Sequence, residues 1–329
     1  MKHKLLGLAA ACCLFSLFVQ GQDNLQNAYY LRDYMQMERL LQEQTLSPEQ
    51  QAIWQSALAV AKDADDQDKQ LEALTRRYPD NAEVHYQAGR LWYEVKEQSS
   101  FINKMGYIDR HVKHMLRAYE LEPDNPKYMR EAAKALAWDS LWGWDKEAAK
   151  ALVERLAQLN QHYHLLAAMD YAQNTQNQPE GHKLIAEVQA NFSENVPLME
   201  RAAQLQLTYD QKADAQQSFY QTCLLTPKQA TSLPIWRDAC QWSGYLSLEG
   251  YGSQQQGLQA LTRLLSEDRV YDDYYVQSLL LQAELAESAK EHVLARQSYL
   301  QAQQLSTDQS VHKDIRRALK RLSQIGDAE

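Results

Sequence analysis

The chain has 329 residues, of which 23% are charged, and it contains only 11 glycines and 8 prolines. This scarcity of chain-breaking residues, with no sustained alternation of β-branched residues, argues against an all-β fold and favours helices. The formal net charge of −9 argues against general binding of nucleic acid, because phosphate backbones attract basic surfaces.

The beginning of the chain has the pattern of a secretory signal peptide. Lys2 and Lys4 supply a positive start, about 15 apolar residues follow, and Gly21 supplies the small residue that a cleavage site needs. We therefore predict a signal peptide over 1–21, a mature chain that begins at Gln22, and a periplasmic or otherwise exported location.

Two other fates of this segment are the alternatives. An uncleaved segment would remain as a membrane anchor, but the apolar run is short for a membrane-spanning helix. Cys12 faintly resembles a lipoprotein cleavage site, but apolar residues continue past Cys13, which argues against lipidation. No other apolar run is long enough to cross a membrane, so we expect no stable membrane insertion after cleavage.

The mature part begins with a predicted amphipathic helix over 24–44. Tyr30, Tyr34, Met37 and Leu41 lie on one face of it, at the spacing of an apolar helix stripe. Such a helix can cover the first member of a helical array.

A small residue recurs at the centre of successive apolar segments, at intervals of about 33 to 44 residues, the range of helical repeats. The seven positions are Ser56, Gly89, Ala133, Ala168, Ala203, Gly244 and Ala283. Small residues let two helices approach closely, so each position is predicted to open a helical hairpin. We predict an all-α solenoid of about seven hairpins in a single domain over 22–329, with an irregular helical bundle as the alternative.

Three tryptophans lie in the connection inside one repeat, at Trp138, Trp142 and Trp144. An indole ring has a large apolar face and one N–H donor, which suits both a core and an interface. We interpret these residues as core or loop anchors, or as an exposed contact site.

The repeat pattern is most complete over 196–229, the length of one tetratricopeptide repeat. After Ala203, the residues Ala215, Phe219 and Pro227 follow at the spacings of that repeat. We expect Phe219 to fill the gap between the two helices, and Pro227 to mark the end of the second.

Cys223 and Cys240 are the two cysteines that remain once the signal peptide has been removed. Paired cysteines are common in exported chains. Cys223 lies near the end of one predicted helix and Cys240 lies early in the next. Because antiparallel neighbours bring such positions together, we predict a disulfide between them.

A closing helix is predicted over 310–323. Ile315, Ala318, Leu319 and Leu322 can cover the last repeat, while basic residues occupy the opposite face. Arrays need a polar-backed end, because an uncovered terminal repeat exposes its core. We interpret the basic face as solvated, with contact to anionic lipid or an acidic partner as the alternative.

No signature of an enzyme is present in the chain. It contains no G-x-S-x-G motif, no H-E-x-x-H motif and no P-loop. His111 and His114 are three residues apart on one predicted helix, but no further metal ligand is identifiable, so we interpret them as structural or surface residues. We predict no catalytic residue, no metal and no cofactor.

With these repeats the chain resembles bacterial envelope proteins with tetratricopeptide repeats, most clearly over 69–136 and 196–229. The insert 97–106 is similar to that of an exported subfamily in which a loop separates the two helices of a repeat. The resemblance implies a protein-binding scaffold without catalysis. His85 and Met199 stand where tryptophan is usual, so no particular peptide specificity carries over.

Residues on the inner face of such an array come mainly from the first helix of each pair. The candidates for partner contact are amide, basic or aromatic groups, which hydrogen-bond an extended peptide or pair with its carboxylates. They are Tyr86, Arg90, Tyr93, Arg130, Lys134, Gln204, Gln206 and Gln282, together with Trp138, Trp142 and Trp144. We predict a non-enzymatic adaptor of the cell envelope that binds a protein or peptide in a concave groove. The alternatives are a glycan-handling accessory protein that stacks Trp and Tyr rings on sugars, and an enzyme with an unrecognised site.

Overall fold

The structure, a computed structural model, describes residues 24–137, 145–268 and 270–326. All regular structure within these ranges is helical. The chain divides into two compact units, which meet in sequence between Gln176 and Asn177.

The first unit contains nine helices in its described part. They are α1 (24–30), α2 (Tyr34–Glu43), α3 (Pro48–Ala61), α4 (Gln67–Arg77), α5 (Ala82–Gln98), α6 (Phe101–Leu121), α7 (Pro126–Ala137), α8 (Lys146–Leu159) and α9 (Gln161–Asn174).

The second unit continues in the same manner, with one short 3-10 turn at Ala230–Ser232. Its α-helices in the described part are α10 (Gln178–Asn191), α11 (Val196–Thr208), α12 (Lys212–Cys223), α13 (Leu233–Leu248), α14 (Gln254–Glu267), α15 (Asp273–Ser288), α16 (His292–Leu305) and α17 (Gln309–Gly326).

Within each unit the helices pack mainly on their neighbours in sequence and on the next helix but one. In the first unit α5 packs on α6, and α7 packs on both α8 and α9; in the second, α13 packs on α11, α12, α14 and α15. This is the contact pattern of stacked helical hairpins. The helices predicted to open hairpins are present as α3, α5, α7, α9, α11, α13 and α15, so the all-α, tetratricopeptide-like class is confirmed. The single domain over 22–329 stays a prediction.

The small residues lie where two helices come close together. A Cβ atom added to Gly244 on α13 would lie 2.5 Å from Leu261 Cδ1 on α14, so the leucine side chain would have to move to make room for it. Ala203 on α11 is fully buried and shares a core cluster with Ala215 and Phe219 of α12. Larger side chains at these positions would push the paired helices apart.

Asparagines fix the start of several first helices. The side chains of Asn81, Asn160 and Asn195 accept hydrogen bonds from backbone N–H groups of the first turns of α5, α9 and α11, over 3.0, 3.1 and 3.2 Å. Such N-caps satisfy donors that have no partner within the helix. They therefore determine which residue begins each first helix, and so which side chains share its exposed face.

Two predicted boundaries are wrong. The helix expected over 24–44 is two helices, because Arg32 has a φ of 52° and Asp33 then caps α2 by accepting from Gln36 N over 2.9 Å. The loop expected over 97–106 is only a two-residue link, because α6 begins at Phe101. Gly106 does not stop α6, since one glycine costs a helix only about 1 kcal/mol.

The closing helix is present as α17, and its Ile315, Ala318 and Leu322 are buried against the last hairpin. The predicted signal peptide over 1–21 and Trp138, Trp142 and Trp144 lie outside the described residues. None of the described helices combines the length and the apolar character that a membrane span needs.

Cys223 at the end of α12 and Cys240 on α13 form a disulfide, with their Cα atoms 4.7 Å apart. Both residues are fully buried. Trp236 reinforces the same junction by donating from Nε1 to the backbone oxygen of Cys223 over 2.8 Å. The disulfide therefore joins two successive hairpins of the second unit.

We expect Ala203→Trp to lower the free energy of unfolding by about 1–3 kcal/mol, because it overpacks the contact between α11 and α12. The matched control is Ala213→Trp, which places the same ring at an exposed position of α12. Chemical denaturation of both variants checks this. Equal stability of the two variants would show that Ala203 does not set the helix separation.

We expect the double variant Cys223→Ala, Cys240→Ala to lose about 3 kcal/mol of stability, since the bond closes a short loop in the unfolded chain. The measurement is denaturant unfolding of the chain that lacks residues 1–21, with thiol titration of the denatured parent protein. Reactive thiols in the parent protein would contradict the pairing.

Candidate functional site

Five of the predicted contact residues lie on two first helices of the first unit, and we call them the first-helix surface. Tyr86, Arg90 and Tyr93 are on α5, at positions i, i+4 and i+7, and Arg130 and Lys134 are on α7, at positions i and i+4. Residues at these spacings share one face of a helix. The structure thus places each set on a single stripe of its helix, as the sequence predicts.

Arg90 is held by groups from two helices. Its Nη1 donates to Gln87 Oε1 over 3.1 Å, and its Nη2 lies 3.6 Å from Glu94 Oε1. The guanidinium carbon lies 5.7 Å from the ring centre of Tyr30 on α1, a favourable cation–π distance. Tyr29 donates from its hydroxyl to Glu94, and burial together with that carboxylate raises the pKa of Tyr29. This tyrosine therefore remains a donor, and it fixes the acid that orients Arg90.

Tyr86 belongs to an aromatic pair with Tyr128 of α7, with ring centres 5.4 Å apart. Lys127 Nζ lies 4.2 Å from the centre of the Tyr86 ring and donates to Glu83 Oε2 over 2.7 Å. Tyr128 donates to the same carboxylate oxygen over 2.6 Å. Burial opposes the ionisation of Glu83, but Lys127 and Tyr128 outweigh it and lower the pKa. The carboxylate is charged at neutral pH and ties α5 to α7.

Arg130 is the centre of a buried ion network between α7 and α9. Its Nη2 lies 2.7 Å from Asp170 Oδ2, and its Nη1 pairs with Glu131. The side chains of Arg130 and Asp170 are only 17% and 4% exposed. Burial opposes the ionisation of Glu131, but Arg130 and Lys134 outweigh it and lower the pKa. Arg130 therefore organises the surface, and its charge is already matched by acids of the protein.

Tyr93 and Lys134 are the two exposed members of the first-helix surface, whereas Tyr86, Arg90 and Arg130 are half-buried. Tyr93 is 37% exposed, and Lys134 is exposed on the same side of α7 as Arg130. The Tyr93 ring lies 5.3 Å from the ring of His111, and Lys96 Nζ lies 3.8 Å from its centre. Because both neighbours hold the Tyr93 ring, it can offer apolar area to a partner and lose little rotational freedom on binding.

The three predicted glutamines lie in the second unit, and two of them are buried. Gln282 is 5% exposed; its Nε2 donates to Thr262 Oγ1 over 2.9 Å, and its Oε1 accepts from Ser298 Oγ over 2.7 Å. Gln206 is 6% exposed, and Gln204 is half-buried. The amide of Gln282 serves the packing of α14, α15 and α16, so we leave it and Gln206 out of the proposed contact surface.

Several residues that hold the first-helix surface in place are not predicted from the sequence. The sequence places Tyr29 and Tyr30 only in a leading helix, and it does not single out Glu83 or Asp170. The sequence does contain one indication for Asp170. It follows the apolar segment around Ala168, and a carboxylate on a buried helix needs a cationic partner. The partner, Arg130, is distant in sequence, so only the packing of α7 on α9 identifies the pair.

No protein-family model and no curated protein matches the chain. Among solved structures it is similar to a chain of the crystal structure of the APC/C hetero-tetramer Cut9–Hcn1, with a TM-score of 0.43 and 15% identity. The match covers 94% of this chain and 55% of that chain, so this chain spans about half the length of its structural relative. A likeness at this level supports no inference about partners or activity.

Within the described residues, no group of three or more His, Cys, Asp or Glu side chains is arranged to hold a metal ion. The two arginines of the first-helix surface are instead paired with carboxylates, Arg90 with Glu94 and Arg130 with Glu131 and Asp170. Such a surface is suited to contact with another molecule.

We expect Arg130→Ala to lower the free energy of unfolding by about 3 kcal/mol, because it leaves the buried carboxylates of Glu131 and Asp170 without their cation. The control is Arg155→Ala, which breaks the exposed pair with Asp124 and should cost less than about 1 kcal/mol. Denaturant unfolding of both variants checks this. If both substitutions cost the same, the Arg130 network is not a stabilising centre.

Proposed function

We propose that the protein is a non-enzymatic scaffold that binds another protein or a peptide through the first-helix surface of its first unit. The observation that carries the proposal is the fixed orientation of Tyr86, Arg90 and Tyr93 by internal ion pairs and ring contacts. Binding then costs little side-chain entropy, because these side chains are already ordered.

The composition of the surface also supports a protein partner. Tyrosine and arginine are enriched at protein interfaces and among the residues that contribute most to binding energy. Lys134 adds an exposed positive charge beside them. A partner with an acidic group next to an apolar side chain would match this arrangement, the acid at Lys134 and the apolar group on the Tyr93 ring.

We further propose that the scaffold acts outside the cytoplasm, in the bacterial envelope. The signal-peptide pattern over 1–21 and the resemblance to envelope repeat proteins support an exported chain that begins at Gln22. The Cys223–Cys240 disulfide is consistent with this, since disulfides persist in oxidising compartments. Lipoprotein anchoring is the weaker alternative for the same segment.

Photo-crosslinking in the native host tests the contact surface directly. We expect a photoreactive amino acid at position 93 of α5 to form a discrete adduct with one partner protein. The same amino acid at position 105 of α6 should not, although Tyr93 and Met105 are similarly exposed, at 37% and 42%. Adducts only at position 105 would move the contact to the second helices and overturn the proposal.

Charge reversal supplies a second test on a single hairpin. We expect Lys134→Glu on α7 to abolish the position-93 adduct, because it replaces the exposed cation of the surface with a like charge for an acidic partner. Lys150→Glu on α8 reverses an exposed lysine outside the surface and should leave the adduct unchanged. Arg130 is left unchanged in this test, because replacing it would break the buried network with Glu131 and Asp170.

A further inference from the structure

A cavity of about 390 Å³ lies between α4, α5 and α6 of the first unit, apart from the first-helix surface. Its volume is in the range of small-molecule sites. Arg76 on α4 and Arg110 and Lys113 on α6 line it, and its lining contains one carboxylate, that of Glu72. In a chain of net charge −9, this is a local excess of positive charge.

Arg110 occupies a fixed place at this cavity. Its Nη2 lies 3.3 Å from Glu72 Oε1, and its guanidinium carbon lies 4.6 Å from the ring centre of the buried Trp92. A guanidinium stacked on an indole presents its remaining N–H donors in one plane, the geometry that matches phosphate oxygens. Trp92 also lines the cavity, and its Nε1 has no hydrogen-bond acceptor among the described residues.

A pair of histidines completes the lining. His85 Nδ1 and His114 Nδ1 are 3.0 Å apart, and His85 Nε2 is 3.0 Å from the backbone oxygen of Pro79. A carbonyl oxygen only accepts, so His85 Nε2 carries a hydrogen and, in the neutral ring, His85 Nδ1 is bare. His114 Nδ1 must then donate to it. This assignment leaves His114 Nε2 as the basic atom of the pair.

The surroundings of the pair oppose its protonation. Burial, followed by the neighbouring His85 and Lys113, lowers the pKa of His114 to about 4. Burial also lowers the pKa of His85. The charged and titratable groups that act on the pair come from every adjoining segment: Glu72 and Arg76 on α4, Asp80 in the turn to α5, and Arg110, His111, Lys113 and Arg117 on α6. Most of these groups are cationic and oppose protonation of the histidines, so a bound anion would favour it.

We propose that this cavity binds the phosphate group of a small solute, inorganic phosphate or a phosphate monoester, and that binding is coupled to uptake of a proton by His114. The donors would be the guanidinium of Arg110, the ammonium of Lys113 and the protonated Nε2 of His114. The proton enters at Nε2, so the bond from His114 Nδ1 to His85 is kept. This proposal does not rest on the protein-binding function of the first-helix surface.

The protonation of the histidine pair makes the stability of the folded protein depend on pH in a known direction. Without an anion, the folded protein holds the pair neutral while the unfolded chain protonates near pH 6.5, so stability falls as the pH drops from 6.5 toward 4. A bound phosphate favours the protonated ring and raises the pKa of His114. Phosphate is therefore expected to protect the protein most strongly in this acidic window.

Proton NMR of the histidine rings, recorded during a pH titration, tests the coupling. With inorganic phosphate in place of chloride at equal ionic strength, we expect the pKa of His114 to rise by about one pH unit, which corresponds to a tenfold preference of phosphate for the protonated pair. The same titration with glycerol phosphate distinguishes the source: a larger rise indicates an ester, and an equal rise indicates the phosphate group alone. If the pKa of His114 rises with neither inorganic phosphate nor glycerol phosphate, the proposal is overturned.

Calorimetric titration with phosphate at about pH 4.5, between the pKa of His114 without phosphate and the raised pKa expected with it, tests the lining residues. We expect Lys113→Gln to weaken binding about tenfold, since it removes a charge-assisted hydrogen bond. Lys104→Gln removes a charge from the same helix, outside the cavity lining, and should leave binding unchanged. Equal weakening by both would show that phosphate responds to the general charge of α6 and would refute a site in the cavity.

Discussion

The close approach of the two helices in each hairpin is the constraint on which the other features depend. It requires a residue with almost no side chain at the crossing, as at Ala203 and Gly244. Once that distance is set, Phe219 and Leu261 have a fixed space to fill, and the next hairpin can pack on the first. The stability of the array is thus built from local contacts repeated along the chain, which is the physical basis of repeat proteins.

The polar residues of the first unit follow from the same packing. Stacked first helices bring side chains from α5, α7 and α9 into one layer, where water is partly excluded. Charged groups in such a layer must be paired, and Arg130 with Asp170 and Lys127 with Glu83 meet that requirement. The pairs cost desolvation energy, but they fix Tyr86 and its neighbours in place. A surface that is ordered in advance loses little side-chain entropy when it contacts another molecule.

Buried histidines show how one fold accommodates two different polar roles. His111 is held by a 2.9 Å contact between its Nδ1 and the backbone oxygen of Gly89, at the close crossing of α5 and α6, and it supports Tyr93. His85 stands where tryptophan is usual in the repeat, and it meets His114 instead of filling the space with an indole. The smaller imidazole of His85 lines the cavity between α4, α5 and α6 together with His114.

The sequence by itself determined the fold class, the seven first helices and the shared stripe of Tyr86, Arg90 and Tyr93, because helical periodicity and small residues at repeat spacing are local properties. It also indicated the capping role of Ile315, Ala318 and Leu322. The ends of the helices could not be predicted as well, since Arg32 adopts a left-handed conformation and α6 continues through Gly106. The tertiary structure alone decided which polar side chains are paired: Arg130 with Asp170, Gln282 with Ser298, and His85 with His114. These partners lie on different helices, far apart in the chain, and their charges and hydrogen bonds are matched only when the helices stack.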